Sequence, residues 1–119
     1  ALILVIEDNL EIRENITEML AFSSYEVIIA ENGAIGISMA LENLPHIILC
    51  DILMPEASGY EVFKNLNGNA ATADIPFVFV TASAEKSEVQ AGLDMGAHGY
   101  IRKPFEMEEL LGTINSLLK

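Results

Sequence analysis

Three short runs in this chain are almost wholly apolar, Leu2 to Ile6, Ile47 to Cys50 and Phe77 to Val80, and each is closed by a polar residue, Glu7, Asp51 or Thr81. A run of that length that is apolar on both alternating faces fits a strand covered from both sides, as the central strands of a parallel sheet are. Two other stretches, Tyr25 to Ala30 and Ala97 to Ile101, are shorter or more mixed. They are expected at the edges of the sheet, where one side meets water.

Between these runs the apolar spacing changes from two to the three-and-four of a helix. Ile12, Ile16, Met19 and Leu20 form one stripe, and Ile37, Leu41 and Leu44 a second. Val62, Phe63 and Leu66 form a third, and Leu110, Leu111, Ile114 and Leu118 a last one. A further helix is expected from Glu85 to Asp94 on thinner grounds, because only Val89 and Leu93 give it a stripe and Gly92 lowers helix propensity. Ser58 and Glu61 fit a capping box at the start of the third helix, and Asn9 is suited to cap the first. Strands alternating with helices, joined by right-handed crossovers and with the most apolar strands central, predict an α/β fold. It is a doubly wound five-stranded parallel sheet in the order 2-1-3-4-5, flavodoxin-like, with helices on both faces.

The 119 residues suit one domain, 1–119, with no output domain in this chain. No apolar run approaches the roughly 20 residues of a membrane helix, and no basic segment precedes the apolar start, so a cytoplasmic protein is expected. Eighteen acids against six Lys and Arg leave a net charge of -12, which argues against direct nucleic-acid or anionic-membrane binding and for a protein partner. The lone Cys50 lies within an apolar run and reads as a small buried hydrophobe. His46 and His98 fall at strand starts, away from the acids, and read as surface or packing residues. The scattered methionines read as core filling.

In a doubly wound sheet ligands bind beyond the carboxyl ends of the strands, beside the point where the strand order reverses. Here the first strand runs into Glu7 and Asp8, the third into Asp51 and the fourth into Thr81, and the fifth is followed by Lys103 and Pro104. One rim would then gather acids, a hydroxyl and a lysine. Crowded carboxylates repel each other and suit a hard cation such as Mg²⁺. A carboxylate is also a nucleophile toward phosphorus when the incoming negative charge is screened.

In ordered conjunction these residues resemble the response-regulator receiver family of two-component signalling. Glu7-Asp8, Asp51 followed by Met54-Pro55 and Gly59, Thr81-Ala82, Gly96-Ala97, Tyr100 and Lys103-Pro104-Phe105 carry the resemblance, which runs nearly end to end. It implies that Asp51 accepts a phosphoryl group, and that Asp8, Asp51 and the Leu53 backbone carbonyl ligate Mg²⁺ or Mn²⁺, with Glu7 acting through a water. It also implies that Thr81 and the Ala82 N–H contact phosphoryl oxygens, that Lys103 pairs with the phosphoryl charge, and that Tyr100 acts with Thr81 as a switch. A cis peptide before Pro104 is implied as well. The implied partners are a histidine kinase or phosphotransfer protein and a downstream protein target or output domain, with a phosphorylation-dependent dimer as a further expectation. Such a chain would be a signalling switch, not an enzyme, since it catalyses only its own phosphorylation and dephosphorylation.

Other readings meet specific obstacles. A phosphohydrolase of the haloacid-dehalogenase kind would need a second Asp two residues after its nucleophile, where Leu53 stands. A flavin-binding module would place hydroxyl-rich residues after the first strand, where Glu7 and Asp8 would instead repel a ligand phosphate. An unphosphorylated receiver-like scaffold would be expected to have lost one or more site residues, and none is missing.

Overall fold

A computed structural model describes residues 1–82 and 86–118, with residues 86–89 described by their backbone alone. The strands are β1 (Leu2–Ile6), β2 (Glu26–Ala30), β3 (Ile47–Asp51), β4 (Phe77–Thr81) and β5 (Gly99–Arg102). The helices are α1 (Leu10–Phe22), α2 (Gly33–Asn43), α3 (Gly59–Asn67), α4 (Lys86–Asp94) and α5 (Met107–Leu117). All strands pair in parallel in the order β2-β1-β3-β4-β5. The predicted topology is the observed one. Asp51 and Thr81, which close two of the apolar runs, are the last residues of their strands, so the sheet sets where they stand. Among the described residues no helix is long and apolar enough to cross a membrane.

The two faces of the sheet are packed with different side chains. On one, Ile3, Val5, Ile47, Leu49, Val78, Val80 and Ile101 meet Ile16 and Leu20 of α1 and Leu110 and Ile114 of α5. Long aliphatic residues at helical spacing fill this layer, as the stripes predict. On the other, Leu4, Ile6, Ile48, Cys50, Phe77 and Phe79 meet Ala40 of α2 and Val62, Phe63 and Leu66 of α3. Phe63, Phe77, Phe79 and Tyr60 interlock there as edge-to-face rings with centroids 5.1–6.0 Å apart.

That second face corrects two expectations. Leu41 and Leu44, read as part of the buried stripe of α2, are exposed, and the helix instead buries Gly33, Gly36 and Ala40. The cause is distance: a Cβ built on Gly36 would stand 2.5 Å from the Ile6 Cδ1 atom, so only a bare backbone lets α2 lie this close to β1. Leu93, half of the expected stripe of α4, is likewise exposed, whereas Gly92, read only as a weakness, is buried with its would-be Cβ 2.9 Å from Phe79 Cε2. The side chain of Val89, the other half of that stripe, and the expected start at Glu85 lie outside the described residues.

At the helix starts the expected cap of α1 forms, and of the capping box at α3 the Ser58 half forms. Asn9 Oδ1 accepts from the Ile12 N–H at 3.0 Å, and Ser58 Oγ accepts from the Glu61 N–H at 3.3 Å. The histidines have a more definite place than surface or packing. His46 accepts from the Leu2 N–H at Nδ1 (2.9 Å) while its own N–H donates to the Leu2 carbonyl (2.8 Å). His98 repeats the arrangement with Phe77 at 3.1 and 2.9 Å, so each ring fastens the start of one strand to its neighbour.

Gly59 opens α3 directly behind Asp51. A Cβ there would lie 2.4 Å from the Asp51 carbonyl oxygen and 2.9 Å from the Ile52 Cα, backbone atoms that cannot swing aside. Gly59→Ala is therefore expected to destabilise the fold by about 1–3 kcal/mol, the usual range for overpacking. Gly112, exposed within α5 with nothing within 4 Å of a would-be Cβ, supplies the contrast. Gly112→Ala is expected to stabilise by about 0.5–1 kcal/mol through helix propensity. Urea unfolding of both variants beside the parent checks the pair, and comparable losses in the two would overturn the contact argument.

Candidate functional site

The carboxyl ends of β1 and β3, adjacent strands at the reversal of chain order, bring the acids together. β1 stops at Ile6, and the turn that follows carries Glu7 and Asp8 over the sheet toward Asp51. Glu7, Asp8 and Asp51 each offer a carboxylate oxygen, and these oxygens lie within 4.8 Å of one another. Asp8 faces solvent, while Glu7 and Asp51 are only 2% and 6% exposed. A set of hard oxygen donors this close suits a small divalent cation that keeps part of its water shell.

Lys103 holds the two buried acids. Its Nζ donates to Glu7 Oε1 at 2.5 Å and stands 3.4 Å from Asp51 Oδ2. The Lys103 N–H donates to the Thr81 carbonyl at 2.7 Å, which ties the segment after β5 to the end of β4, and the next peptide bond, Lys103-Pro104, is cis. Remaining valences are used locally: Glu7 Oε2 accepts from the Asn9 N–H at 3.2 Å, and Asp51 Oδ1 accepts from the Leu53 N–H at 3.3 Å. The Leu53 side chain stands out into water at 65% exposure.

Thr81 is fully buried at the end of β4, and Ala82 follows it at the surface. Strand register pairs Phe79 with Tyr100 and Thr81 with Arg102. Registered partners and alternate residues share a face of a sheet, so Thr81 and Tyr100 lie on the same side, with Tyr100 40% exposed. Beside Lys103, a cleft of about 350 Å³ is lined by Ile12, Asn15, Ala82, Pro104 and Phe105. Ser83 and Ala84, which follow in the sequence, lie outside the described residues.

Every residue singled out from the sequence for this rim is thus placed at or beside it, with Tyr100 one strand away. One residue not singled out joins them. Arg13 Nη1 donates to the Glu7 carbonyl at 2.9 Å. No spacing rule points to a side chain on the second turn of a helix closing back on the strand end before it.

Burial pushes the Glu7 carboxyl up from 4.5 to about 7; the hydrogen bond from Lys103 opposes the rise and the charge of Asp51 adds to it. Burial also pushes the Cys50 thiol up, with Asp51 and Glu7 adding to the effect, so Cys50 stays a neutral, fully buried thiol. Because the folded state holds the Glu7 proton to higher pH than the unfolded chain, stability from this group is present at low pH. It is lost as pH rises through the window from 4.5 to about 7. In metal-free protein Glu7 is expected to remove about 2 to 3 kcal/mol of stability between about pH 5 and about pH 8. Glu7→Gln, neutral throughout, should flatten that part of the curve. Urea unfolding in the presence of a chelator at four pH values measures it, and parallel curves for the two proteins would refute the assignment.

Comparison with known proteins agrees with this geometry. Residues 3–115 match the family described as the response regulator receiver domain. The response regulator MprA of Mycobacterium tuberculosis is 38% identical over 117 residues, covering 98% of this chain and 50% of MprA. MprA of Mycobacterium avium is 37% identical with the same coverage. The chain therefore spans about half the length of the curated relatives it matches. Among solved structures, the chemotaxis protein CheY4 of Vibrio cholerae superposes with a TM-score of 0.94 at 29% identity, covering 99% of this chain and 98% of CheY4. The receiver domain of the sensor histidine kinase PA1611 from Pseudomonas aeruginosa, solved with a magnesium ion in its active-site cleft, gives 0.91 at 26% identity, with 98% and 96% covered. Matched along nearly its whole length in sequence and in backbone, this chain belongs to the response-regulator receiver family of two-component signalling.

Proposed function

We propose that the receiver domain works as a phosphorylation-dependent switch, in which Asp51 takes a phosphoryl group from the phosphohistidine of a histidine kinase or phosphotransfer protein. The observation that carries this reading is the place of Asp51. It ends a central strand, shares a carboxylate cluster with Glu7 and Asp8, and has the ammonium of Lys103 3.4 Å away. An Asp51 carboxylate oxygen attacks phosphorus, the phosphorus–nitrogen bond breaks, and the imidazole departs with the electron pair. The product is an acyl phosphate, which water later cleaves. Because the domain modifies only itself, it is a switch and not an enzyme with a separate substrate.

The donor set fits a divalent cation, and the PA1611 receiver domain holds magnesium in the corresponding kind of cleft. Asp8, Asp51 and the Leu53 carbonyl would hold Mg²⁺, or Mn²⁺ in its place, with Glu7 reaching it through water. The cation, when bound, supplies positive charge that offsets the carboxylates and the phosphoryl oxygens. Lys103 neutralises from the other side, passing from Glu7 and Asp51 to the new phosphoryl group. Thr81 and the Ala82 N–H hydrogen-bond the phosphoryl oxygens.

Readout runs along β4 and β5. Movement of Thr81 toward the phosphoryl group opens room on the face it shares with Tyr100, and the half-exposed ring turns inward. The surface of α4, β5 and α5 then presents a different shape to a downstream protein, to an output domain or to a second copy of the chain.

Incubation with acetyl phosphate and Mg²⁺ is expected to add one phosphoryl group to the parent, mapped to Asp51, and none to Asp51→Asn. Label on the Asn variant would overturn the choice of acceptor. Millimolar Mg²⁺ is expected to raise the melting temperature of the parent by mass action, and an unchanged melt together with unshifted site resonances would remove the metal from the reading. Beryllofluoride, a phosphoryl mimic, is expected to shift the NMR signals of Tyr100 in the parent and much less in Thr81→Ala. Tight binding of the mimic with Tyr100 unmoved would sink the proposed readout.

A further inference from the structure

We propose that Arg13 is a positioning residue for this site, holding the turn that presents Glu7 and Asp8; the proposal rests on the reading of these acids as the metal-binding group. The ladder between β1 and β3 ends at the pair Ile6 and Cys50, so the Glu7 carbonyl lies past the last rung. On the β2 side the Glu7 N–H still donates to the Ala30 carbonyl at 3.0 Å. The carbonyl takes its hydrogen bond from a side chain, Arg13 Nη1 at 2.9 Å. The Arg13 main-chain N–H meanwhile donates to the Asn9 carbonyl at 3.0 Å. Arg13 therefore grips both ends of the turn Glu7-Asp8-Asn9, one through its guanidinium and the other through its backbone. Thr17 in turn donates to the Arg13 carbonyl at 2.7 Å, and the arginine runs through clefts lined by Leu10, Ile29 and Ile35.

The grip has a consequence for the carboxylates. Both Glu7 and Asp8 hang from this turn, and a turn free to rotate must be ordered each time a cation binds, which weakens binding. Two effects of removing Arg13 oppose one another. Loss of its hydrogen bond loosens the turn and weakens metal binding, whereas loss of its positive charge removes a repulsion and strengthens it. The first dominates. The guanidinium touches a main-chain oxygen, not the carboxylates, and it stands in clefts open to water beside Glu14, Glu18 and Glu31, where its charge is screened and partly offset. Partners that orient metal ligands commonly change affinity by about 10- to 100-fold when removed.

The test uses the parent, Arg13→Met, which keeps an apolar stem, and Arg13→Gln, which shortens the reach while staying polar. NMR titration with Mg²⁺ is expected to give a Kd about tenfold higher in both variants. In metal-free protein the Asp8 and Asn9 amides are expected to exchange several-fold faster in the variants, with the Leu4 to Ile6 amides unchanged. At saturating Mg²⁺ the rate of labelling by acetyl phosphate is expected to return to the parent value. An unchanged or lower Kd in whichever variants fold overturns the proposal in favour of a simple charge effect, and slow labelling at saturating Mg²⁺ overturns it in favour of direct participation. A parent that neither titrates with Mg²⁺ nor takes the label overturns the underlying reading as well. A parent that does both, beside variants with unaltered Kd and exchange, overturns this proposal alone.

Discussion

Lys103 reaches across the end of the sheet and contacts Glu7 at 2.5 Å and Asp51 at 3.4 Å. Two nearly buried carboxylates and one partly exposed lysine leave negative charge in excess, and Asp8 adds more at the rim. A buried pair of like charges is stable only where something positive is fixed beside it. The lysine supplies part of that charge, while burial, with the charge of Asp51 adding to it, still raises the affinity of Glu7 for a proton. Three carboxylates beside a single lysine form a donor set whose excess negative charge a divalent cation would offset.

The fold makes that crowding tolerable by holding Asp51, Lys103 and Glu7 through their main-chain atoms. Asp51 is the last rung of β3, with Gly59 closed against its carbonyl from behind. Lys103 is held by its own N–H to Thr81, and Glu7 by its N–H to Ala30 and its carbonyl to Arg13. Asn9 serves twice, capping α1 with its side chain and giving its N–H to Glu7 Oε2. The positive end of the α1 dipole therefore points at the acids, which lowers the cost of holding them together.

The strands, their order and the rim residues were legible in the sequence because each rests on a local signal. Apolar runs on both faces mark central strands, and the polar residue that ends each run marks the site end. The buried faces of α2 and α4 were not legible, because helix periodicity weighs large apolar residues and gives glycine no weight. Gly36 and Gly92 bury themselves by what they lack, and only the presence of Ile6 or Phe79 opposite gives that meaning. The same limit hid Arg13, His46 and His98. Their hydrogen bonds go to main-chain atoms, which every residue carries and no side-chain pattern reveals.

The contrast between the two faces bears on where this domain can move. On the α1 and α5 side, long aliphatic side chains interdigitate with the sheet, and shifting either helix would open cavities. On the other side α4 meets the sheet through Gly92, whose bare Cα faces the edge of the Phe79 ring. Phe79 is registered with Tyr100 and lies one alternate position from Thr81 on the same strand. α4 therefore rests on β4, the strand that ends at Thr81 and is registered with β5, which carries the exposed Tyr100. In the proposed readout a displacement begun at Thr81 passes from β4 to Tyr100 on β5, while the α1 and α5 layer keeps the acids and Lys103 in register.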